Sequence, residues 1–574
     1  MTLPRKSLPA SVGAQRDRQL DTFGDPTVEQ TRKFASDVAP MRGCEDNFET
    51  LFASAEPMGG RGSHAPGLAA RANEHVSEHV HRYRAHHAST GASDKKRIRV
   101  LKFGGTSVGD AASIERTVEI VRAATREISS VVVVSAMNGV TNKLVEAVSE
   151  AGAGNRERVS LIFKELRKRH DTAASELIHA AGERNRISDM MLELFREGER
   201  ACQSTNGAEQ LPPQTRDLIL SIGERLSVLL VAGALAERGV PSEPVDASEI
   251  LVTDSNHGSA EPCMNSTRER CDARLRPLMR RSVVPVITGF IGATEGGAVT
   301  TLGRGSSDYS ATILSAALDA QEVVIWTDVD GVLTADPRIV PAARTIPEMS
   351  YHEAAELANF GANVMHPKIF CPLREAGIPV WVRNTFAPER RGTKITPTVT
   401  GLAGGVKAVT AKNGAALITV GMRDNLAAAD IEKRAFAAVA ASRAEVLLIL
   451  QSKSDTDICF AVPSVVAVAT AEALRREFSA EMVNKKVERV TVEPNVAIVT
   501  LVGQKMRGPS ESVGRMFEAL ARAKVSTSAA RRDFSETNFS FVIAQKDVAA
   551  ALVAAHREFQ LDSAKPQVLQ AEGS

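Results

Sequence analysis

The first residues that could do chemistry are a lysine and two glycines near residue 100. Lys102 ends a short alternating stretch that begins near Ile98, and Gly104 and Gly105 follow it closely. Apolar residues then recur at helical spacing, so the pattern predicts a strand, a glycine loop and a helix. Backbone N–H groups of paired glycines can approach an anion, and a lysine at the strand end could reach a transferring phosphoryl group. This is not a Walker A loop, because no Gly-Lys-Ser/Thr closes it. The alternative is an ordinary turn with a solvated lysine.

Glu224 is a carboxylate in a stretch that is otherwise apolar. The residues after Pro212 predict a helix to about Arg238 that is apolar on opposite faces, which is typical of a buried helix. A buried carboxylate needs a cation or a ligand. We therefore expect Glu224 to lie in a binding site, with a surface ion pair as the alternative.

Arg304 lies between two glycines, just before a helix that the sequence predicts from about Asp308 to Leu318. A guanidinium can bind a carboxylate through two hydrogen bonds, and a helix start favours negative charge. The segment therefore predicts an anion site. The alternative is that Asp308 only caps the helix.

Polar residues also follow two apolar runs that predict buried parallel strands, residues 130–135 and 322–327. Thr141 lies in the turn after the first run, and Asp328 and Asp330 follow the second. Ligands of doubly wound sheets bind at the carboxyl ends of the strands. The two aspartates could thus be metal ligands or ribose contacts, or only turn residues.

Composition excludes several classes of protein. The 574 residues have a net charge of +1, which gives no support for nucleic-acid binding. The six cysteines are scattered without a Cys-x-x-Cys pair, which is typical of reduced thiols in a cytoplasmic protein. No long uninterrupted apolar run predicts a membrane span. Residues 1–96 are polar and lack a sustained apolar period, so we expect a largely disordered extension.

The second half of the chain contains a repeat. Two units, near residues 415–462 and 496–543, both follow the order strand, helix, strand, strand. Neither contains a nucleophile with a base or a cluster of metal ligands. This half is therefore predicted to bind a regulatory ligand rather than to catalyse a reaction.

Over about residues 97–560, the chain resembles aspartate kinases, and its motifs occur in the same order as in that family. Five segments carry the resemblance: 102–107, 221–227, 301–305, 326–331 and 360–362. The resemblance implies an amino-acid-kinase-like three-layer α/β/α sandwich with a mostly parallel sheet, followed by two α+β ACT domains of ferredoxin-like fold.

The resemblance also implies domain boundaries. The expected segments are the extension 1–96, a catalytic domain 97–397, a first ACT region 398–490, a second ACT domain 491–562 and a tail 563–574. One ACT unit is inserted into the other in this family, so residues 405–409 are expected to pair with the second unit.

The implied reaction transfers the γ-phosphoryl group of MgATP to the side-chain carboxylate of L-aspartate. This gives 4-phospho-L-aspartate, in the first step of lysine, threonine and methionine biosynthesis. ATP is then a substrate and Mg²⁺ accompanies it, while no residue is assigned as a metal ligand. The resemblance assigns roles as follows: catalysis to Lys102, Arg304 and Asp308; substrate binding to Thr141, Glu224, Arg304 and Ser307; ATP binding to Lys102, Gly104, Gly105, Thr327, Asp328, Leu333, Arg338 and Asn363; and effector binding to Gln451, Asp455, Asp457 and Ile458.

Three residues depart from the family pattern: Ser306 replaces a glycine, Leu333 a frequent aromatic residue and Asn363 a frequent lysine. They motivate an alternative function, a catalytically weak amino-acid sensor on the same fold. A kinase that acts on another carboxylate, such as glutamate, is a third possibility.

The resemblance further implies regulation and assembly. Lysine or threonine is the expected effector, with one competent site per chain around Gln451. ACT units pair edge to edge, so we expect a homo-oligomer. No Rossmann glycine fingerprint follows the ACT units, which favours a kinase without a fused dehydrogenase. The expected location is the cytoplasm, without a nucleic-acid or membrane partner.

Overall fold

The structure is a computed structural model. It describes residues 97–204, 211–303, 305–361, 365–399, 405–423, 428–451, 457–504, 511–532 and 537–563. The predicted extension 1–96 lies outside these residues, as do residues 564–574 of the predicted tail.

Eleven strands form within the described residues up to Thr396. They are β1 (Ile98–Phe103), β2 (Ser129–Val134), β3 (Ser242–Val245), β4 (Val252–Thr253), β5 (Val284–Thr288), β6 (Ile291–Thr294), β7 (Val299–Thr301), β8 (Glu322–Thr327), β9 (Glu348–Ser350), β10 (Val380–Asn384) and β11 (Thr393–Thr396). Eight of them make one sheet in the order β3-β5-β2-β1-β8-β10-β11-β9, and the six from β3 to β10 run parallel. The remaining three make a small sheet, β4-β6-β7. Carboxyl ends of neighbouring strands therefore meet at one edge of the main sheet.

Helices cover both faces of the main sheet. They are α1 (Ala111–Thr125), α2 (Val140–Gly152), α3 (Arg156–Leu177), α4 (Ala181–Gln203), α5 (Pro213–Glu237), α6 (Met264–Arg280), α7 (Ser307–Ala317), α8 (Tyr351–Asn359) and α9 (Cys371–Arg374), with short 3₁₀ turns at Ala247–Glu249 and Pro367–Phe370. Successive residues of a strand point to opposite faces. Accordingly Val132 and Val134 belong to one apolar cluster, and Val131 and Val133 to the other. This is the three-layer arrangement that the resemblance implied.

Helix α5 is the central helix of one layer. It is long and apolar enough to cross a membrane by length and composition, but 89% of its most apolar window is buried inside the protein. Those are the properties of a core helix, and they agree with the predicted buried helix around Glu224.

The apolar run of residues 283–292 is divided between two strands. The chain leaves β5 of the main sheet and enters β6 of the small sheet. Phe290 lies between them with φ 70°, a left-handed conformation outside the β region, and the chain changes direction there. Strands β6 and β7 then pair antiparallel as a hairpin.

The second half forms a six-stranded antiparallel sheet in the order β13-β14-β12-β15-β17-β16. Its elements are β12 (Gly405–Met422), α10 (Ala428–Ala441), β13 (Leu448–Gln451), β14 (Asp457–Pro463), α11 (Ser464–Glu477), α12 (Ser479–Val483), β15 (Val487–Gln504), α13 (Glu511–Arg522), β16 (Thr527–Arg532), β17 (Asn538–Ala544), a 3₁₀ turn at Gln545–Asp547 and α14 (Val548–Glu558). Gly405 pairs with Gln504 and Val409 with Leu501, so the start of β12 joins the second unit, as the resemblance implied.

Candidate active site

Lys102 meets Asp308 at the carboxyl end of β1. The Nζ atom lies 2.6 Å from Oδ1 of Asp308, and both side chains are largely buried. Ser306, not Asp308, is the N-cap residue of α7, and its side chain makes no capping hydrogen bond. The alternative that Asp308 only caps the helix is therefore wrong. The carboxylate instead fixes the ammonium at the strand end, where a charged group can act without reorganisation.

The glycine loop packs against the neighbouring strand ends. The Gly104 N–H donates to the Trp326 carbonyl at 3.1 Å, and the Gly105 carbonyl accepts from the Asn138 N–H at 3.1 Å. A Cβ atom at Gly105 would lie 3.1 Å from the carbonyl oxygen of Ala136. The loop thus depends on the small size of this residue to approach β2 closely.

Glu224 is 3% exposed, and within the described residues its Oε2 atom has no hydrogen-bond partner. Burial raises the pKa of its carboxyl to about 8, although the backbone of Ala136 and the positive charge of Lys102 act in the opposite direction. A buried polar atom without a partner is costly. Because Glu224 is buried, the alternative of a surface ion pair is excluded. A cationic ligand would satisfy the Oε2 atom.

Thr141 and Ser307 both lie at helix starts beside the strand ends. Thr141 is in the first turn of α2, whose N-cap Gly139 has φ 81° and offers no side-chain cap. Ser307 opens α7 and packs against Gly289, where an added Cβ atom would lie 2.6 Å from the Ser307 Cβ atom. Both helix starts leave backbone N–H groups for an anionic ligand.

Asp217 is a buried residue of the site that our sequence reasoning missed. It is 1% exposed and accepts four hydrogen bonds: from His257 Nδ1 (2.9 Å), Gly258 N (3.1 Å), Thr301 N (3.0 Å) and Thr301 Oγ1 (2.7 Å). Asp217 therefore ties α5 to the end of β7, directly before the turn into α7. The signal available in the sequence was a second acid in the apolar helix, seven residues before Glu224.

The remaining residues assigned to ATP lie at the end of β8 and in the segment after it. The hydroxyl group of Thr327 donates to Asp328 Oδ1 at 3.2 Å, and Asp328 is exposed. Leu333 is half-buried, whereas Arg338 is 86% exposed and its guanidinium pairs with Asp336 at 2.7 Å. Hydrogen bonds to Asp336 hold the pKa of that carboxyl below its usual range.

Asp330, the second aspartate after β8, is already engaged. Its carboxylate accepts from Asn384 Nδ2 at 2.7 Å and pairs with Arg390. A structural role in the turn therefore accounts for this residue without a metal or a ribose.

Some assigned residues lie elsewhere. Arg304, Asn363 and Asp455 are outside the described residues, as is the side chain of Gln451. Two assigned effector residues lie on β14, in the second sheet. Asp457 pairs with Arg489 at 2.8 Å, and the side chain of Ile458 is buried in an apolar cluster.

The described residues thus bring the Lys102–Asp308 pair, the glycine loop, two helix starts and the buried Glu224 to one edge of the parallel sheet. A lysine fixed by a carboxylate, a glycine loop and two helix starts can stabilise a multiply charged anion, and a buried acid can bind a cation. Such a site suits group transfer between two anions by alignment and charge neutralisation.

Two family models match the chain. The model described as the amino acid kinase family matches residues 97–384, and the model described as the ACT domain matches residues 416–478 and 499–559.

Curated relatives match most of the chain. The chain is 32% identical to bifunctional aspartokinase/homoserine dehydrogenase 2, chloroplastic, of Arabidopsis thaliana over 80% of this chain and 50% of the relative. It is 29% identical to aspartokinase 1, chloroplastic, of the same plant over 92% of both chains. The chain thus spans about half the length of the bifunctional relatives that it matches.

Solved structures are similar over the same region. The crystal structure of E. coli aspartokinase III in complex with aspartate and ADP is 28% identical, with a TM-score of 0.68 over 81% of this chain and all of that one. The crystal structure of the same enzyme with lysine and aspartate is 29% identical, with a TM-score of 0.66 over 80% of this chain.

Proposed function

Since the chain belongs to the amino acid kinase family, we propose that it is an aspartate kinase that transfers the γ-phosphoryl group of ATP to the side-chain carboxylate of L-aspartate. A carboxylate oxygen attacks the γ-phosphorus while the bond from that phosphorus to the β,γ-bridging oxygen breaks. The products are 4-phospho-L-aspartate and ADP. The nucleophile is already ionised at neutral pH, so no general base is needed.

The fixed pair of Lys102 and Asp308 is the observation that carries this proposal. The transferred group bears charge on three oxygens, and catalysis of such a transfer consists of alignment and charge neutralisation. We assign the Lys102 ammonium to the γ-phosphoryl oxygens, with the backbone N–H group of Gly105 beside it; Gly104, whose N–H donates to the Trp326 carbonyl, contributes close approach of the backbone instead. Asp308 orients the ammonium through the 2.6 Å contact.

Glu224 is proposed to bind the ammonium group of the substrate. An ammonium ion would satisfy its open Oε2 atom and remove the cost of a buried carboxylate. Thr141, Ser307 and Arg304 are proposed to bind the α-carboxylate of the substrate, two of them from helix starts. The complex of E. coli aspartokinase III with aspartate and ADP supports this pair of ligands.

ATP is proposed to bind along the segment after β8, at Thr327, Asp328, Leu333, Arg338 and Asn363. Mg²⁺ is proposed to arrive as MgATP. This ion keeps most of its ligands as phosphate oxygens and waters and takes one or two carboxylates from a protein. Asp328 has an exposed carboxylate suited to that role.

Feedback control is proposed to act through the ACT sheet, with lysine or threonine as effector. The complex of E. coli aspartokinase III with lysine supports lysine. The boundaries 97–397, 398–490 and 491–562 stay proposals, as do assembly into a homo-oligomer and a cytoplasmic location.

The test is an ATP- and Mg²⁺-dependent assay of L-aspartate phosphorylation in which the acyl phosphate is trapped as the hydroxamate. We expect turnover by the wild type and loss of at least about a thousandfold in kcat for Lys102→Ala, because one transition-state contact of this kind contributes about 10²–10³ and the lysine also neutralises charge. Glutamate replaces aspartate in a parallel reaction. Lysine and threonine are added separately.

Each outcome decides between the functions named above. Turnover of glutamate alone would indicate a different acyl-phosphate kinase. Absence of turnover with either substrate, together with tight lysine or threonine binding, would support the sensor and refute the kinase.

A further inference from the structure

The segment after β8 that carries Leu333 and Arg338 is a closed excursion of the chain between Val332 and Ile346. Backbone hydrogen bonds join the two arms at its base: Ile346 N donates to Val332 O at 2.8 Å, and Thr334 N donates to Arg344 O at 2.8 Å. At its tip, Val340 N donates to Asp336 O at 2.8 Å. We call residues 332–346 the nucleotide excursion.

The buried apolar side chains in the middle of the nucleotide excursion lie in the core of the second ACT unit, whereas Val332 and Ile346 at its base belong to an apolar cluster of the catalytic domain. Ala335 and Val340 are buried in the same cluster as Leu552 and Ala555 of α14. The buried residues of the main parallel sheet belong to two other apolar clusters. The excursion therefore spans the junction: it carries the ATP-assigned Leu333 and Arg338, and its buried Ala335 and Val340 lie inside the ACT unit.

Thr334 links the base of the excursion to α14. Its Oγ1 atom lies 3.0 Å from His556 Nε2, and both residues are buried. The same oxygen accepts from Arg344 N at 2.9 Å. The Thr334 carbonyl accepts from Val409 N on β12 at 2.9 Å. Thr334 is thus bonded on both sides to the ACT sheet and its helix.

We propose that the second ACT unit is part of the nucleotide-binding apparatus, in which His556 and Thr334 act as positioning residues for the excursion that binds ATP. The inference rests on the proposed function, because it takes the assignment of Leu333 and Arg338 to ATP from there. It gives the second unit a role in substrate binding, apart from the effector site that the resemblance places around Gln451 in the first unit.

The test compares variants that break this contact and keep the volume. We expect Thr334→Val and His556→Leu each to raise the KM for ATP about fivefold, as the loss of one buried hydrogen bond predicts, with the KM for aspartate within twofold of wild type. His556→Gln keeps an acceptor in reach and should restore the wild-type KM. The double variant should be no worse than the single variants, because both remove the same bond.

Thr500→Val is the matched control. It is the same threonine-to-valine substitution, made inside the ACT unit that the excursion contacts. The buried Thr500 hydroxyl lies 2.8 Å from Ser540 Oγ, so its hydrogen bond is to the ACT unit itself. We expect it to lower the melting temperature without changing the KM for ATP. Equal KM values for Thr334→Val and Thr500→Val would overturn the inference.

Nucleotide affinity is also measured directly, by titrating ADP into each full-length variant. If the wild type fails to phosphorylate aspartate, the proposed function is wrong, and the ADP affinities still test the role of the excursion. If neither Arg338→Ala nor Thr334→Val changes the affinity for ADP, the excursion does not bind nucleotide and the inference is refuted. If Thr334→Val or His556→Leu does not fold, the other of the two variants carries the test, with Thr334→Ala as its second measurement.

Discussion

Aspartate binding should release a proton from Glu224. The unliganded protein holds this carboxyl buried with an elevated pKa of about 8. The substrate ammonium favours the ionised carboxylate, because opposite charges in contact stabilise each other most where water is excluded. Binding therefore converts Glu224 from the acid to the carboxylate.

The magnitude follows from the pKa. The rise from the ordinary value of 4.5 to about 8 corresponds to roughly 5 kcal/mol of disfavoured ionisation. At pH 7 a group with a pKa of about 8 is about nine-tenths protonated, so about 0.9 proton should leave per aspartate bound. The dissociation constant for aspartate should fall roughly eightfold between pH 7 and pH 8.5 and level off above.

Isothermal titration calorimetry of aspartate in two buffers of different ionisation enthalpy counts the released protons directly. The matched variant is Glu224→Gln, which keeps the size and removes the titration. We expect it to release no proton, to bind with an affinity that is independent of pH over this range, and to bind about a hundredfold more weakly because it lacks the buried charge pair.

Two results would refute the reasoning. If the wild type binds aspartate tightly without proton release at pH 7, Glu224 does not change its ionisation on binding. If Glu224→Gln releases as many protons as the wild type, another group titrates and the assignment of the ammonium to Glu224 is wrong.

Further predictions concern stability and neighbouring positions. The folded protein keeps a proton on Glu224 that the unfolded chain loses above about pH 4.5. This residue therefore lowers the free energy of unfolding increasingly as the pH rises towards 8. Scanning calorimetry should show a larger gain in melting temperature for Glu224→Gln at pH 8 than at pH 5. Asp217→Asn should raise the KM for aspartate about tenfold with little change in the KM for ATP, and Thr301→Val, which removes one of the four bonds, should have a smaller effect in the same kinetic assay. Gly105→Ala puts a carbon 3.1 Å from a backbone oxygen, so its kcat should fall in the hydroxamate assay while circular dichroism stays that of the wild type.

Local patterns predicted much of the first half of the fold. The strand, loop and helix around Lys102 and the buried helix α5 follow from the apolar period alone, since both are made by residues close in the sequence. The order of the strands depends on contacts between distant segments, so it was not predicted; the resemblance implied only the three layers and the mostly parallel sheet. Asp217 was missed for the same reason: its partners lie 40 and 84 residues away.

The long strands of the ACT sheet show another limit. The local pattern predicted only the second part of β12 and the second part of β15 as strands, and the pairing of residues 405–409 came from the resemblance. Gly414 in β12 and Asn495 in β15 both have positive φ, a conformation typical of turns. The structure instead continues each strand past these residues, with shifts of register between Lys412 and Leu417. Pairing along the whole length, which the local sequence does not show, outweighs the turn signal.

Helix α5 shows how two acids in the same surroundings acquire different roles. Asp217 and Glu224 are seven residues apart, which is about two turns, so they share one face of a buried helix. Asp217 accepts four hydrogen bonds from its own chain, whereas Glu224 keeps an oxygen without a partner within the described residues. The first carboxylate therefore fixes the turn into α7, and the second can accept a ligand without breaking any internal bond. Burial alone does not distinguish a structural acid from a binding acid; the number of hydrogen bonds that the chain itself provides does.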